Sequence, residues 1–262
     1  MSTSKIQVQV ADGVGWLTFN HPERRNAMSL EMWQGLGDAA QALEADPGVR
    51  VVVMRGAGGK AFVSGADISE FDAHRADARQ KEAYGVIAAR GHQGLATLTK
   101  PLIALIEGFC IGGGLALSLT ADVRFASTGS RFGIPAAKLG LGYEYAGIAA
   151  LARLVGPSCA KDILFSARFL ETDEALRVGL INAAFEPADI ERHVRDYALR
   201  VASNAPLTIH AAKEAVRVFE RYASTTQAGE IAILVDRCFD SDDYREGRSA
   251  FLEKRTPQFK GQ

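Results

Sequence analysis

One arrangement occurs twice in this chain and constrains it most: an apolar run, a glycine-bearing turn, then a helical pattern. Residues 49–54 lead to Phe62-Val63-Ser64-Gly65-Ala66-Asp67-Ile68, and residues 102–106 lead to Glu107-Gly108-Phe109-Cys110-Ile111-Gly112-Gly113-Gly114. Short apolar runs bounded by turn residues read as buried strands. A glycine triplet at such a junction lets the main chain approach a ligand with no side chain in between. The first N–H groups of a helix lack an intrahelical acceptor and carry partial positive charge, so they suit an oxygen gaining negative charge. Two such donors aimed at one point form an oxyanion hole.

The wording of both segments resembles the two signature stretches of the crotonase (enoyl-CoA hydratase/isomerase) superfamily, A-F-x-x-G-A-D-I and N-G-x-x-x-G-G-G. The likeness extends from Val14-Gly15-Trp16-Leu17-Thr18-Phe19-Asn20 to Ala250-Phe251-Leu252-Glu253-Lys254-Arg255. It implies a Clp-protease-like α/β spiral of ββα repeats with a C-terminal helical trimerisation region. The spiral core is placed at residues 1–195 and the helical region at 196–262, both in one functional unit. It also implies an acyl-CoA thioester as substrate, with its oxygen held by two main-chain amides that fall by position on Ala66 and Gly113. Coenzyme A enters as part of the substrate, and no separate cofactor or metal is expected. Trimers, often paired into hexamers, are the implied assembly.

One departure from the family pattern bears on the reaction. Hydratases of this superfamily carry one glutamate three residues after the middle glycine and another in an F-G-x-P-E stretch. Here those positions are Ala116 and Ala136. Adding water across an enoyl thioester needs one group to activate water and another to deliver a proton. Alanine does neither, so ordinary hydration is disfavoured while isomerisation and decarboxylation stay open. Glu144, eight residues after Ala136, matches the offset of an aspartate that does the chemistry in dienoyl-CoA isomerases and aroyl-CoA dehalogenases of the family. Its other reading is a surface acid at a helix start. Tyr143 matches the offset of a tyrosine in the family's methylmalonyl-CoA decarboxylase; its other reading is a packing residue. For coenzyme A, the resemblance points to Arg24, to Ala66, Asp67, Ile68 and Gly113 through their backbone, and to Phe251 and Lys254 reaching from an adjacent subunit. Asp67 also reads as a turn-fixing side chain. A non-catalytic acyl-CoA-binding subunit is the rival reading, since loss of both glutamates would leave such a sequence.

Composition narrows the remaining classes. Lys+Arg of 30 against Asp+Glu of 31 leaves no cationic excess for nucleic acid. Cys110, Cys159 and Cys238 have no metal-ligand spacing, and an odd, sparse set suits a reducing compartment. No apolar stretch is long enough to cross a bilayer, and the first five residues are polar, so a cytoplasmic location is expected. His21, His92, His193 and His210 show no ligand spacing, and His74, on the expected flap, reads as an acid–base candidate or a solvent-facing side chain. Ser64 does not lie in a nucleophile elbow, and the glycine run lacks phosphate-loop and dinucleotide patterns.

Along the chain, Asp12-Gly13 between residues 6–10 and 14–19 predicts a hairpin. Ser29 is the expected N-cap of a helix running to about residue 45. Helices are also expected over 113–120, over 189–203 with Ile190, Val194, Ala198 and Val201 on one face, and from Pro206 onward. Residues 69–90 read as a mobile, helix-rich flap.

Overall fold

The computed structural model describes residues 5–70, 78–139, 145–221 and 240–262. The chain opens with strands β1 (Ile6–Ala11) and β2 (Val14–Phe19), paired antiparallel with Ala11 opposite Val14. Asp12 and Gly13 both have positive φ, 53° and 77°, the mirror-image turn that matches strand twist. Helix α1 (Leu30–Ala45) starts where expected: the Ser29 hydroxyl accepts from Met32 N–H at 3.2 Å.

Three strand pairs follow in succession. They are β3 (Val51–Gly56) with β4 (Ala61–Val63), then β5 (Leu102–Ile106) with β6 (Phe109–Ile111), then β7 (Val123–Ser127) with β8 (Arg131–Gly133). Helix α2 (Ala78–Ala96) separates the first two pairs, and α3 (Gly113–Ser118) the second and third. Helices α4 (Tyr145–Val155) and α5 (Pro157–Ser166), strand β9 (Leu170–Glu171), helix α6 (Thr172–Arg177) and strand β10 (Ala183–Phe185) complete the core. Helices α7 (Ile190–Ala202), α8 (Pro206–Arg221) and α9 (Asp242–Glu253) close the chain.

The first strand of each pair joins a six-stranded sheet, ordered β1-β2-β3-β5-β7-β10. The second joins a four-stranded sheet, ordered β4-β6-β8-β9. Both sheets therefore grow one strand at a time as the chain spirals, which is the ββα repeat expected from the sequence. A doubly wound topology would have put these strands in a single sheet.

The central strands of the larger sheet are buried on both faces, and strand alternation sorts their side chains. Val52, Met54, Leu102, Ala104 and Ile106 join the core under α1, with Met32, Leu36 and Leu43. Val51, Val53, Ile103 and Leu105 face α7 and meet its Ile190, Val194 and Ala198. Burying each of those α7 branched side chains contributes about 1.5–3 kcal/mol. Helix α8 is pinned to the sheet by Lys213, which donates to Asp122 Oδ2 and to the Lys100 carbonyl, both at 2.7 Å. Asp122 in turn accepts from Leu102 N–H at the head of β5 at 2.6 Å.

The expected flap is only partly what the structure contains. Residues 71–77, which include Phe71 and His74, lie outside the described residues, but the later part of the stretch is built into the core. Tyr84 is buried and accepts from Trp33 Nε1–H at 3.0 Å, and Ile87 packs inward. A polar sequence average hid this, because Tyr84 and Ile87 turn inward from a stretch of helix whose other positions, Val86 among them, are mostly exposed.

Asn26 ties the loop after β2 to the β3–β4 turn. It is fully buried in the left-handed region, φ 56°. Its side chain accepts from His21 N–H at 2.9 Å and donates to the carbonyls of Ala57 at 3.0 Å and Ala61 at 2.8 Å. Asn26→Ala leaves those buried groups unpaired and should lower stability by about 3 kcal/mol. Urea unfolding checks this, and an unchanged midpoint would remove Asn26 as an anchor.

Candidate functional site

The two glycine-bearing loops meet because β4 and β6 pair in parallel, Ala61 beside Phe109 and Val63 beside Cys110. Each strand then runs straight into its loop. Contact between them is close: a Cβ placed on Gly114 would sit 1.9 Å from the Val63 carbonyl oxygen. Only glycine fits there. A Cβ placed on Gly113 would sit 4.0 Å from the carbonyl carbon of Gly65, the atom bonded to Ala66 N. Residues 66 and 113 are therefore neighbours, and both are half-buried.

The direction of the Ala66 amide follows from its hydrogen-bonded neighbours. Met28 N–H donates to the Gly65 carbonyl at 2.8 Å, and Asp67 N–H donates to the Met28 carbonyl at 3.0 Å. This is a parallel bridge centred on Ala66, whose own N–H therefore points away from Met28. Met28 lies on the outer side of this edge, and β6 on the other. Ser64 N–H also points outward, to the Arg25 carbonyl at 3.2 Å. Residues 64 and 67 would face opposite ways in a regular strand, so the alternation breaks once between them. Gly65, with φ 117°, provides that break.

The second loop repeats the arrangement. Gly112 N–H donates to the Gly133 carbonyl at 2.8 Å, and Ala116 N–H returns to the Gly112 carbonyl at 3.0 Å. Gly113 N–H, at the first position of α3, has no acceptor among the described residues, and neither does Ala66 N–H.

Among the described residues, few ionisable groups belong to these loops. Ala116 lies three residues after Gly113, one turn along the same face of α3, and Ala136 sits in a short 3₁₀ turn (Pro135–Leu139) against the core. The two acids within the signature segments are otherwise engaged. Asp67 Oδ1 accepts from Ser69 N–H at 3.0 Å and Ser69 O–H at 2.7 Å. Burial opposes ionisation of Asp67, but the Ser69 bonds and the nearby Arg24 and His21 outweigh it and leave the pKa lowered. Glu107 is raised by burial and by Glu191, with Arg55 opposing, so it belongs to a cluster on the α7 side. Cys110 is fully buried, which pushes its thiol up to about 12 and makes it inert as a nucleophile. Ser64 O–H reaches only the Arg24 carbonyl, at 3.5 Å. No metal-holding group of His, Cys, Asp or Glu occurs among the described residues.

Of the other residues singled out by sequence, Arg24 ends a short 3₁₀ turn (Pro22–Arg24) near Asp67. Ile68 opens the turn after the first loop. Tyr143 and Glu144 lie outside the described residues. Phe251 is in the last turns of α9, and Lys254 follows it, exposed, with φ 54°. The tail beyond Lys254 docks at the start of β3, where Arg50 donates to the Phe259 carbonyl at 2.7 Å. The loops carrying Ala66 and Gly113 lie beyond the opposite, C-terminal ends of these parallel strands. Sequence reasoning missed Met28, whose main chain aims Ala66; no side-chain pattern could signal a backbone role.

The sequence model of the enoyl-CoA hydratase/isomerase family matches residues 9–262. This chain belongs to that family. It is 32% identical to the short-chain-enoyl-CoA hydratase of Clostridium acetobutylicum over 255 residues, 97% of each chain. It is 33% identical to the 2,3-dehydroadipyl-CoA hydratase of Escherichia coli, over 98% of this chain and 99% of that one. Among solved structures, an enoyl-CoA hydratase/carnithine racemase from Magnetospirillum magneticum superposes with a TM-score of 0.93 at 35% identity, covering 100% of this chain and 97% of that one. An enoyl-CoA hydratase from Bacillus anthracis gives a TM-score of 0.94 at 29% identity, over 99% and 100%. The likeness to the crotonase superfamily therefore extends over essentially the whole chain.

Contact between the loops is the element most sensitive to a single atom. Gly114→Ala drives a methyl into the Val63 carbonyl, and main chain has little room to yield. Overpacking of this kind costs about 1–3 kcal/mol or more. The melting temperature should fall by several degrees, and an unchanged value would mean that the loops are not in contact.

Proposed function

We propose that this protein binds an acyl-coenzyme A thioester and stabilises its enolate between Ala66 N–H and Gly113 N–H. The observation that carries the reading is the pair of adjacent amides without acceptors among the described residues, each beside an amide that is hydrogen-bonded elsewhere. When an α-proton or an α-carboxylate leaves a thioester, the electron pair moves onto the thioester oxygen. Fixed donors at that oxygen lower the barrier without reorganisation, and removing one typically costs about 3–4 kcal/mol.

Family membership supports an acyl-CoA substrate, and several relatives bear hydratase names. The alanines at 116 and 136 argue for a reaction needing only enolate stabilisation and a single proton carrier. Double-bond isomerisation and decarboxylation meet that requirement; hydration needs two groups. Glu144 as the isomerase carboxylate and Tyr143 as the group orienting a departing carboxylate stay within this proposal. Arg24 is assigned to the coenzyme A phosphates, with Asp67 and Ile68 bracketing the nucleotide through their main chain. Lys254 and Phe251 are assigned to the site of a neighbouring copy, because the tail of their own chain docks at the other end of the strands. Self-association as a trimer or hexamer is part of the same reading. Exposed Val216 and Phe219 on α8 support it as a surface that association would cover.

The missing carboxylates also favour a second reading, a subunit that binds acyl-CoA without turning it over. Assays of crotonyl-, dienoyl- and methylmalonyl-CoA separate the two: turnover of any one supports the enzyme, and tight binding with none supports the binding subunit.

Gly113→Pro removes one donor at a position where proline suits the helix start. Turnover should fall by about 10²–10³ with coenzyme A affinity retained; full activity in a folded variant would overturn the assignment. Restoring both acids in Ala116→Glu/Ala136→Glu should raise crotonyl-CoA hydration by at least about 10². A double variant that binds crotonyl-CoA but hydrates it no faster would show that those positions do not face the acyl group.

A further inference from the structure

The bridge that aims the Ala66 amide has a support of its own. Its two bonds both end on Met28: Met28 N–H donates to the Gly65 carbonyl at 2.8 Å, and Asp67 N–H donates to the Met28 carbonyl at 3.0 Å. Two bonds to one residue leave a loop free to pivot about that residue. Gly65 adds to the freedom, because its φ of 117° interrupts the strand and the bridge at Ala66 stands isolated from any ladder. Hydrogen bonds weaken steeply with angle, so an amide that pivots donates poorly.

A third bond removes the pivot. Leu30 N–H, the first of α1, donates to Glu70 Oε2 at 2.8 Å. The contact lies beyond Met28 on one segment and beyond Ala66 on the other, so the two segments are held at separate points. The span from Ala66 to Glu70 is stiff. Asp67 Oδ1 accepts from both Ser69 N–H and Ser69 O–H, and Glu70 N–H donates to the Asp67 carbonyl at 3.2 Å. The anchor is stiff as well. Met28 and Ser29 are buried, the Ser29 hydroxyl accepts from Met32 N–H at 3.2 Å, and the Tyr84 hydroxyl approaches the Met28 carbonyl at 3.5 Å. A carboxylate suits this place, since the N–H groups that open α1 lack intrahelical acceptors and carry partial positive charge.

We propose that Glu70 is a positioning residue of the paired amides: by holding Leu30 N–H it locks the loop over residues 65–70 and sets the angle at which Ala66 N–H meets the thioester oxygen. The inference rests on the acyl-CoA reading above and deepens it. Glu70 touches no reacting atom and acts through the loop. Loss of its bond weakens donation by Ala66 and leaves Gly113, which stands on α3, in place.

Butanoyl-CoA isotope-labelled at the thioester carbonyl carbon, added to saturation and followed by carbon NMR, tests this. Hydrogen bonds to the carbonyl oxygen move that resonance downfield, whether or not turnover follows. The wild-type complex should show the resonance well downfield of free butanoyl-CoA. Glu70→Ala should give up much of that displacement while still binding, and Glu70→Gln, which keeps an oxygen for the bond, should retain it. Leu30→Pro removes the same bond from the other side. Proline suits the first helical position, and Ser29, at φ −82° and ψ 166°, already has the extended backbone that precedes one. Its complex should resonate where that of Glu70→Ala does, and combining the two substitutions should move the resonance no further. A wild-type chain that leaves butanoyl-CoA unbound, or binds it with the resonance unmoved, would sink the acyl-CoA reading and this inference together. A displaced wild-type resonance that stays in place in folded Glu70→Ala or Leu30→Pro would overturn the role of Glu70 alone, because a merely stabilising residue lowers the melting temperature without moving the bound carbonyl.

Discussion

The parallel pairing of β4 with β6 is the interaction on which the site depends. It is short, three residues on each side, yet it sets two loops from distant parts of the chain in van der Waals contact. The larger sheet supplies the rigidity behind it, with β5 buried along its whole length and helices on both faces. Each repeat then delivers its second strand to the smaller sheet at a fixed offset. The loops thus inherit their placement from packing that has no chemistry of its own, as expected of a scaffold supporting a pre-organised site.

Pre-organisation here is a matter of main-chain hydrogen-bond accounting. Buried amides are nearly always paired, so a half-buried pair left without acceptors, flanked by amides that have them, calls for explanation. Met28 takes up the two groups on either side of the Ala66 amide, and Gly133 takes up Gly112. Such an arrangement is consistent with an external oxygen as the missing acceptor. The described side chains of these two loops and the helix start are chemically quiet: alanine at 116, a thiol too buried to ionise, and an aspartate occupied by its own turn. In the proposed reading, that quietness separates holding an oxygen, the part given to the scaffold, from moving a proton.

Much of this was legible in the sequence. The hairpin at Asp12-Gly13, the cap at Ser29, the strand at Leu102–Ile106 and the buried face of α7 all follow from local chemistry that the tertiary structure did not override. The spiral itself was not legible from periodicity, because β3, β5 and β7 look alike whether they enter one sheet or alternate with a second; the resemblance supplied it. The helix within residues 69–90 was anticipated, but the burial of Tyr84 against Trp33 was not, because a polar average conceals single inward-facing side chains. The loops' contact could be anticipated from glycine content, but the aim of Ala66 could not, since it is set by the backbone of Met28.

The central claim is that Ala66 and Gly113 await one shared acceptor, and amide NMR on acetoacetyl-CoA binding tests it most directly. The account predicts large downfield proton shifts at Ala66 and Gly113 together, while Asp67 and Gly112, already hydrogen-bonded within the protein, move little. Saturable binding of acetoacetyl-CoA with Ala66 and Gly113 unshifted would contradict it.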